Sequence, residues 1–325
     1  MGWKPFGVLL AALVAVATVT AAPGKPWTPV HLPDGQPDMQ GYWTNGTLTP
    51  LERPAEFAGK EFFTAAEAEA YAKKRDAEYN SQPKENIHYD NVIWQSEKYS
   101  KEMSGSRTSL IYDPPDGRIP ALTPWGQAQL AARRASAQPQ QRTDSADRMT
   151  LEERCISWGQ EGPPMLGSTY QANLQFIQSA KSFAIRHELM HVVRVIPVDG
   201  SPHFSKHIRQ IFGDSRGHWE GDTLVVDTTN YTDETPFRGP RESTRQDIFT
   251  SRDLHVVERF TRTGADTIQY RFTVDDPTMF TKPWSGEITM RRIDGPIYEY
   301  ACHEGNYGLG FVLSAARVQD RSSSN

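Results

Sequence analysis

Past its first 22 residues the chain has no apolar run close to the roughly 20 residues that a membrane-spanning helix needs. The mature part is therefore not expected to enter a bilayer. An excess of positive charge is also missing. Lys and Arg number 35 against 40 Asp and Glu, and the net charge of −5 excludes the basic face that non-specific nucleic-acid binding requires. No strand–G-x-G-x-x-G–helix pattern occurs, which removes the dinucleotide fingerprint. Cysteine is nearly absent, and the two present, Cys155 and Cys302, lack the close spacing of a metal knuckle.

Residues 1–22 have the three parts of a secretory signal. Lys4 supplies the positive end, Gly7 to Val19 the apolar core, and Thr20-Ala21-Ala22 the small residues at a cleavage point. The expected location is secreted or periplasmic. In that setting an even cysteine count favours a Cys155–Cys302 disulfide over reactive thiols or metal ligands. Closing a loop of about 150 residues contributes about 4–5 kcal/mol in the chain-entropy model.

Residues 23–150 read as an extended arm followed by covering helices. The arm, 23–60, is rich in Pro and Gly and has neither helical nor strand periodicity. Thr64 with Glu67 three residues on is a capping box for one Ala-rich helix, and Pro124 after Thr123 opens a second. Residues 151–325 read as an antiparallel β domain, in which the pattern changes to strands from about residue 170. Ile268, Tyr270, Phe272 and Val274 alternate with polar residues, and the period continues through Ile288-Met290 and Tyr298-Tyr300-Cys302. Turn signals such as Glu220-Gly221-Asp222 and Thr263-Gly264 separate these runs. The fold class expected is mainly β: an antiparallel meander closing as a lipocalin-like barrel or a sandwich.

Three regions carry candidate chemistry. His187-Glu188-Leu189-Met190-His191 matches H-E-x-x-H, whose zinc chemistry needs a helix to put both imidazoles on one face about 6 Å apart. The surrounding β-branched residues favour a strand, where four residues span roughly 13 Å. In that strand Ile185, His187, Leu189, His191, Val193 and Val195 share an apolar face, and both imidazoles look inward. An inward histidine is either a satisfied core residue or a general acid or base. The second region places Asp214, Ser215, Arg216, His218 and Glu220 in a turn before a strand at 223–228, with Asp214 and Arg216 paired. In the third, a bridged Cys302 would hold His303 and Glu304 on rigid backbone. Trp94, Trp125, Trp219 and Trp284 are either core or the lining of an apolar pocket. Asn45-Gly-Thr and Asn230-Tyr-Thr match the glycosylation pattern.

The blocks RCISWGQEGPP (154–164), WEGDTLVVDT (219–228), LHVVERF (254–260), DDPTMFTKPW (275–284) and EYACHEGNY (299–307) resemble a family of exported bacterial proteins. So does PDMQGYW (37–43) in the amino-terminal third. The resemblance spans about 150–310 and implies a secreted β-rich domain. It brings no activity, and no catalytic residue follows from it.

The leading expectation is a secreted enzyme of isomerase, cyclase or lyase type, acting by acid–base chemistry on a small, largely apolar molecule in a barrel pocket. His191, His303 and Glu304 would move protons, and Asp214 and Arg216 would orient them. No cofactor is expected. A non-catalytic binding protein is the alternative, and a zinc hydrolase using His187 and His191 is a second one.

Overall fold

A computed structural model of the chain describes residues 27–81, 102–136, 143–167, 170–233, 236–238 and 247–323. The expected signal peptide and Trp94 lie outside them. Among the described residues the strands are β1 (Gly41–Thr44), β2 (Ile111–Asp113), β3 (Asn173–Ser179), β4 (Ser182–His187), β5 (Val193–Pro197), β6 (Asp214–Glu220), β7 (Thr223–Thr229), β8 (Pro236–Arg238), β9 (Asp247–Phe249), β10 (His255–Gly264), β11 (Thr267–Asp275) and β12 (Trp284–Arg292). Helices α1 (Ala65–Asn80), α2 (Pro124–Ser136) and α3 (Gly308–Ser323) lie outside the sheet.

Ten of these strands form one antiparallel sheet in the order β5-β4-β3-β1-β12-β11-β10-β7-β6, with β2 added on β12; β8 and β9 pair separately. The sheet curls until its two edges meet. No backbone ladder joins β5 to β6, but their side chains interlock. A Cβ on Gly217 would sit 2.7 Å from Val198 Cγ1 and 3.1 Å from Ile196 Cγ2, so only a residue without one lets the edges approach this closely. The result is a nearly closed barrel.

Strand alternation sorts the side chains. Phe176, Phe183, Phe260, Tyr270, Phe272 and Trp284 all point inward and are almost wholly buried. Their rings meet edge to face, with centroids 5.1 Å apart for Phe176–Phe183, 5.7 Å for Phe176–Phe260 and 5.7 Å for Phe272–Trp284. The two helices expected from sequence, α1 and α2, start where their capping residues place them, whereas α3 lies in the 151–325 stretch expected to be β. Thr64 Oγ1 accepts from the Glu67 amide while Glu67 accepts from the Thr64 amide, and Thr123 Oγ1 accepts from the Gly126 amide at the start of α2. Cys155 and Cys302 are bridged across 147 positions, packed against Leu189 and Met190.

Three expectations fail on tertiary grounds. The arm is not simply laid over the domain. Its residues 41–44 are β1, inserted between β3 and β12 with Trp43 fully buried, so one sheet draws strands from both sides of residue 150. Gly41, at φ +129°, leaves room for the Arg292 guanidinium, which lies 4.5 Å from the Trp43 ring. The Asp214–Glu220 run is no turn but strand β6, with Ser215, Gly217 and Trp219 inward and Arg216, His218 and Glu220 outward. Tyr298–Cys302 alternates like a strand yet forms none. Both edges of the preceding strand, β12, are already occupied, by β11 on one side and by β1 and β2 on the other.

Inside the barrel five strands each contribute one polar side chain to a single network. Arg194 of β5 binds Glu258 of β10 through both terminal nitrogens, at 3.2 and 2.6 Å, and reaches Ser215 of β6 at 3.3 Å. Ser215 meets Thr228 of β7 at 2.9 Å, and the Tyr270 hydroxyl of β11 donates to Glu258 at 2.8 Å. The Met165 amide donates to that same hydroxyl from a covering segment. Side chains of Arg194 and Glu258 are 3% and 0% exposed, so this pair is desolvated and bidentate at once. Removing one partner leaves a bare buried charge. Arg194→Met or Glu258→Leu alone should each cost about 3–5 kcal/mol in denaturant unfolding. The double substitution should cost clearly less than the sum, and strict additivity would refute the bridging role.

Candidate active site

The strands that bury Ser215, Val226 and Val256 necessarily turn their neighbours Asp214, Asp227 and His255 outward. On that outer face the return segment from β5 to β6 adds His203. Four side chains form an alternating chain of carboxylates and imidazoles. His203 Nδ1 lies 3.1 Å from Asp214 Oδ2, and its Nε2 lies 2.9 Å from Asp227 Oδ1. His255 Nε2 meets the other oxygen of Asp227 at 2.6 Å. Arg216 closes the chain with a 2.5 Å bond from Nη1 to Asp214 Oδ1. Asp214 also accepts from the Phe204 amide at 2.7 Å, which fixes the loop that carries His203.

Burial is graded along this chain. The Asp214 side chain is 2% exposed, His203 30%, Asp227 37% and His255 39%, so one end is anchored and the other is open. Bonding to Asp227 raises the imidazole of His255 above its usual range. Partial burial opposes this, and the charges of Asp227 and Asp275 assist it. Burial pushes the Asp227 carboxyl up, but the hydrogen bonds and charges of His255 and His203 outweigh it and hold that group low. Both His203 nitrogens face carboxylate oxygens. A singly protonated ring therefore donates to one side at a time, and a doubly protonated ring donates to both. Such a row can pass a proton between its ends, and an imidazole oriented by a carboxylate is the common general acid or base.

Few of the residues expected from sequence gather here. Asp214 and Arg216 do, as the expected pair. His191 does not, because the chain turns through Leu189–His191 with Met190 and His191 in the left-handed region, and the inward face ends at His187. His191 is exposed and donates from Nδ1 to the Tyr300 carbonyl at 3.0 Å. Val193 and Val195 are 53% and 64% exposed, while Arg194 and Ile196 face inward instead. His187 is buried within the barrel, so the two HELMH imidazoles do not converge on one point. Glu188 accepts from Asn173 and from the Tyr298 amide. The motif thus clamps the carboxy-terminal segment. His303 and Glu304 are exposed, and neither side chain makes a hydrogen bond among the described residues. Of the tryptophans, Trp284 is core, Trp219 is partly buried against it and Trp125 is 44% exposed. Asn45 and Asn230 are 4% and 9% exposed and donate to backbone carbonyls, so neither glycosylation pattern is open.

His203, Asp227 and His255 were missed as site residues because they belong to three separate segments. The one sequence signal was a charge at an outward position of each strand, which a solvated face gives equally well. Among the described residues no group of three or more His, Cys, Asp or Glu is arranged to hold a metal ion. Compared with protein-family models, with curated proteins and with solved structures, the chain has no match in any of the three.

Three groups make stability depend on pH. Because its folded value is raised, His255 stabilises the fold fully below about 6.5, and that contribution disappears as pH rises through the raised value. Asp227 behaves oppositely: its contribution is complete above its usual 3.8 and is lost as pH falls through the lowered value. NMR titration should find the His255 ring changing charge above 6.5, and Asp227→Asn should bring that midpoint down. Burial, aided by the Arg194 charge, depresses His187 to about 3. Wild type should therefore lose stability relative to His187→Phe as pH drops from about 6.5 toward 3, read by urea unfolding at each pH. A constant gap would refute the assignment of a neutral buried ring.

Proposed function

We propose that this protein is an exported acid–base enzyme of the isomerase, cyclase or lyase type. It takes a proton from a small, largely apolar molecule and returns it, through His255 backed by Asp227, His203 and Asp214. The observation that carries this reading is the unbroken row Asp214–His203–Asp227–His255, anchored by Arg216 at its buried end and open at His255. The Nε2 atom of His255 is held by Asp227, and its Nδ1 makes no hydrogen bond among the described residues, which leaves that nitrogen for a substrate. Export is supported by the amino-terminal pattern and agrees with the Cys155–Cys302 bridge. No described helix is long and apolar enough to cross a membrane.

The reading moves the chemistry from the barrel interior to its outer face. Aromatic rings and the Arg194–Glu258 network occupy the inside, whereas the row is reached from solvent. Proton exchange is the direct assay: solvent deuterium incorporated at the carbon next to the carbonyl, followed by NMR across a panel of apolar ketones and esters. Loss of the general base should slow exchange by about 10²–10⁴-fold in His255→Gln, and Asp227→Asn should slow it as well. His191→Gln and His303→Gln should exchange at the wild-type rate. Equal rates in wild type and His255→Gln would sink the proposal.

A further inference from the structure

Residues 200–213 (GSPHFSKHIRQIFG) contain no acidic side chain, in a chain whose net charge is −5. They do contain Lys206 and Arg209, with His203 and His207. Their backbone is tied down at several points. The Phe204 amide donates to Asp214 and its carbonyl accepts from Asn230 Nδ2 at 3.0 Å. The Ile208 amide donates to the Ser205 carbonyl, and Arg209 donates to the carbonyls of Tyr231 and Arg252 at 3.0 and 2.8 Å.

On this fixed loop two large apolar side chains stand in solvent, Phe204 at 51% and Ile208 at 52% exposure. Apolar groups held out by a braced backbone cannot fold away, and covering them is favourable for any apolar partner. Phe204 adjoins the acid–base row: it follows His203 in the chain, and the Arg216 guanidinium lies 4.8 Å from its ring. Lys206 and His207 are both exposed two and three positions further along. Phe204 thus borders the row, and the cationic Lys206 with His207 follows it on the same exposed loop. Carboxylates at Asp214, Asp227 and Asp275 would repel an anionic head placed on the row itself.

We infer that the substrate is an amphiphile, a molecule whose apolar body lies across Phe204 and Ile208 and whose anionic head, of carboxylate type, is held at Lys206 and His207. This brings a carbon of the apolar body, not the head, to His255. The inference rests on the acid–base reading above and names the substrate class of the same site.

Binding of monomeric dodecanoate, measured by calorimetry on the full mature chain with dodecanol as the uncharged control, tests it apart from the chemistry. Dodecanoate should bind more tightly than dodecanol. Phe204→Ser with Ile208→Ser should weaken dodecanoate by about tenfold or more. Lys206→Glu should weaken dodecanoate while leaving dodecanol unchanged, a readout that misfolding would not produce. Unchanged dodecanoate affinity in the double-serine variant would overturn the inference. So would binding to phosphatidylglycerol vesicles without binding to the monomer, which would make the loop a membrane contact. If dodecanoate binds as stated but His255→Gln leaves proton exchange intact, the acid–base reading fails and the amphiphile site stands.

Discussion

Closure of this barrel depends on the Arg194–Glu258 pair. The edge strands β5 and β6 share no backbone ladder, so the seam is held by side chains, and Arg194 hydrogen-bonds across it. It joins β5 to β6 through Ser215 and to β10 through Glu258. Two desolvated charges are tolerable in an apolar interior only when each is neutralised and hydrogen-bonded. The bidentate Arg194 contact and the Tyr270 hydroxyl meet that requirement for Glu258, and the Met165 amide in turn donates to that hydroxyl. The pairing also specifies register, since a one-residue slip of either strand would carry its charge to the other face.

The outer face follows from the inner one. With Glu258 and Val256 turned in, His255 is turned out. With Val226 and Thr228 in, Asp227 is out beside it. The loop that returns from the end of β5 to the start of β6 passes over this surface and supplies both His203 and Phe204. A structural constraint in the core therefore assembles the acid–base row outside it, and the same loop forms its apolar and basic border. The HELMH segment belongs to a different part of the molecule. There it anchors the chain before Cys302 through Glu188 and His191, and the disulfide completes the attachment.

What could be read in advance was local. The Thr64–Glu67 box, Pro124 at the start of a helix, the alternation of 267–275 and the Glu220-Gly221-Asp222 turn each depend on neighbours a few residues apart, and each is found as expected. Errors arose where local patterns met tertiary competition. Tyr298–Cys302 had strand periodicity, but the strand before it, β12, was already paired on both sides. Asp214–Glu220 had the composition of a turn, yet alternates about Ser215, Gly217 and Trp219 as β6. His191 fell out of its face because two consecutive left-handed residues rotated the chain after His187.

By itself, then, the sequence determined the β-rich class, the helices α1 and α2 but not α3, and the one possible cysteine pairing, because periodicity, capping and an even cysteine count are properties of short stretches or of simple number. Tertiary structure decided the rest. Strand order brought Asp227 beside His255, 28 positions away, and a return loop brought His203 between Asp214 and Asp227. No short-range pattern encodes those contacts. They come from which edges pair and in what register, and that is set by burial of the whole inner face together with the charged pair that closes it.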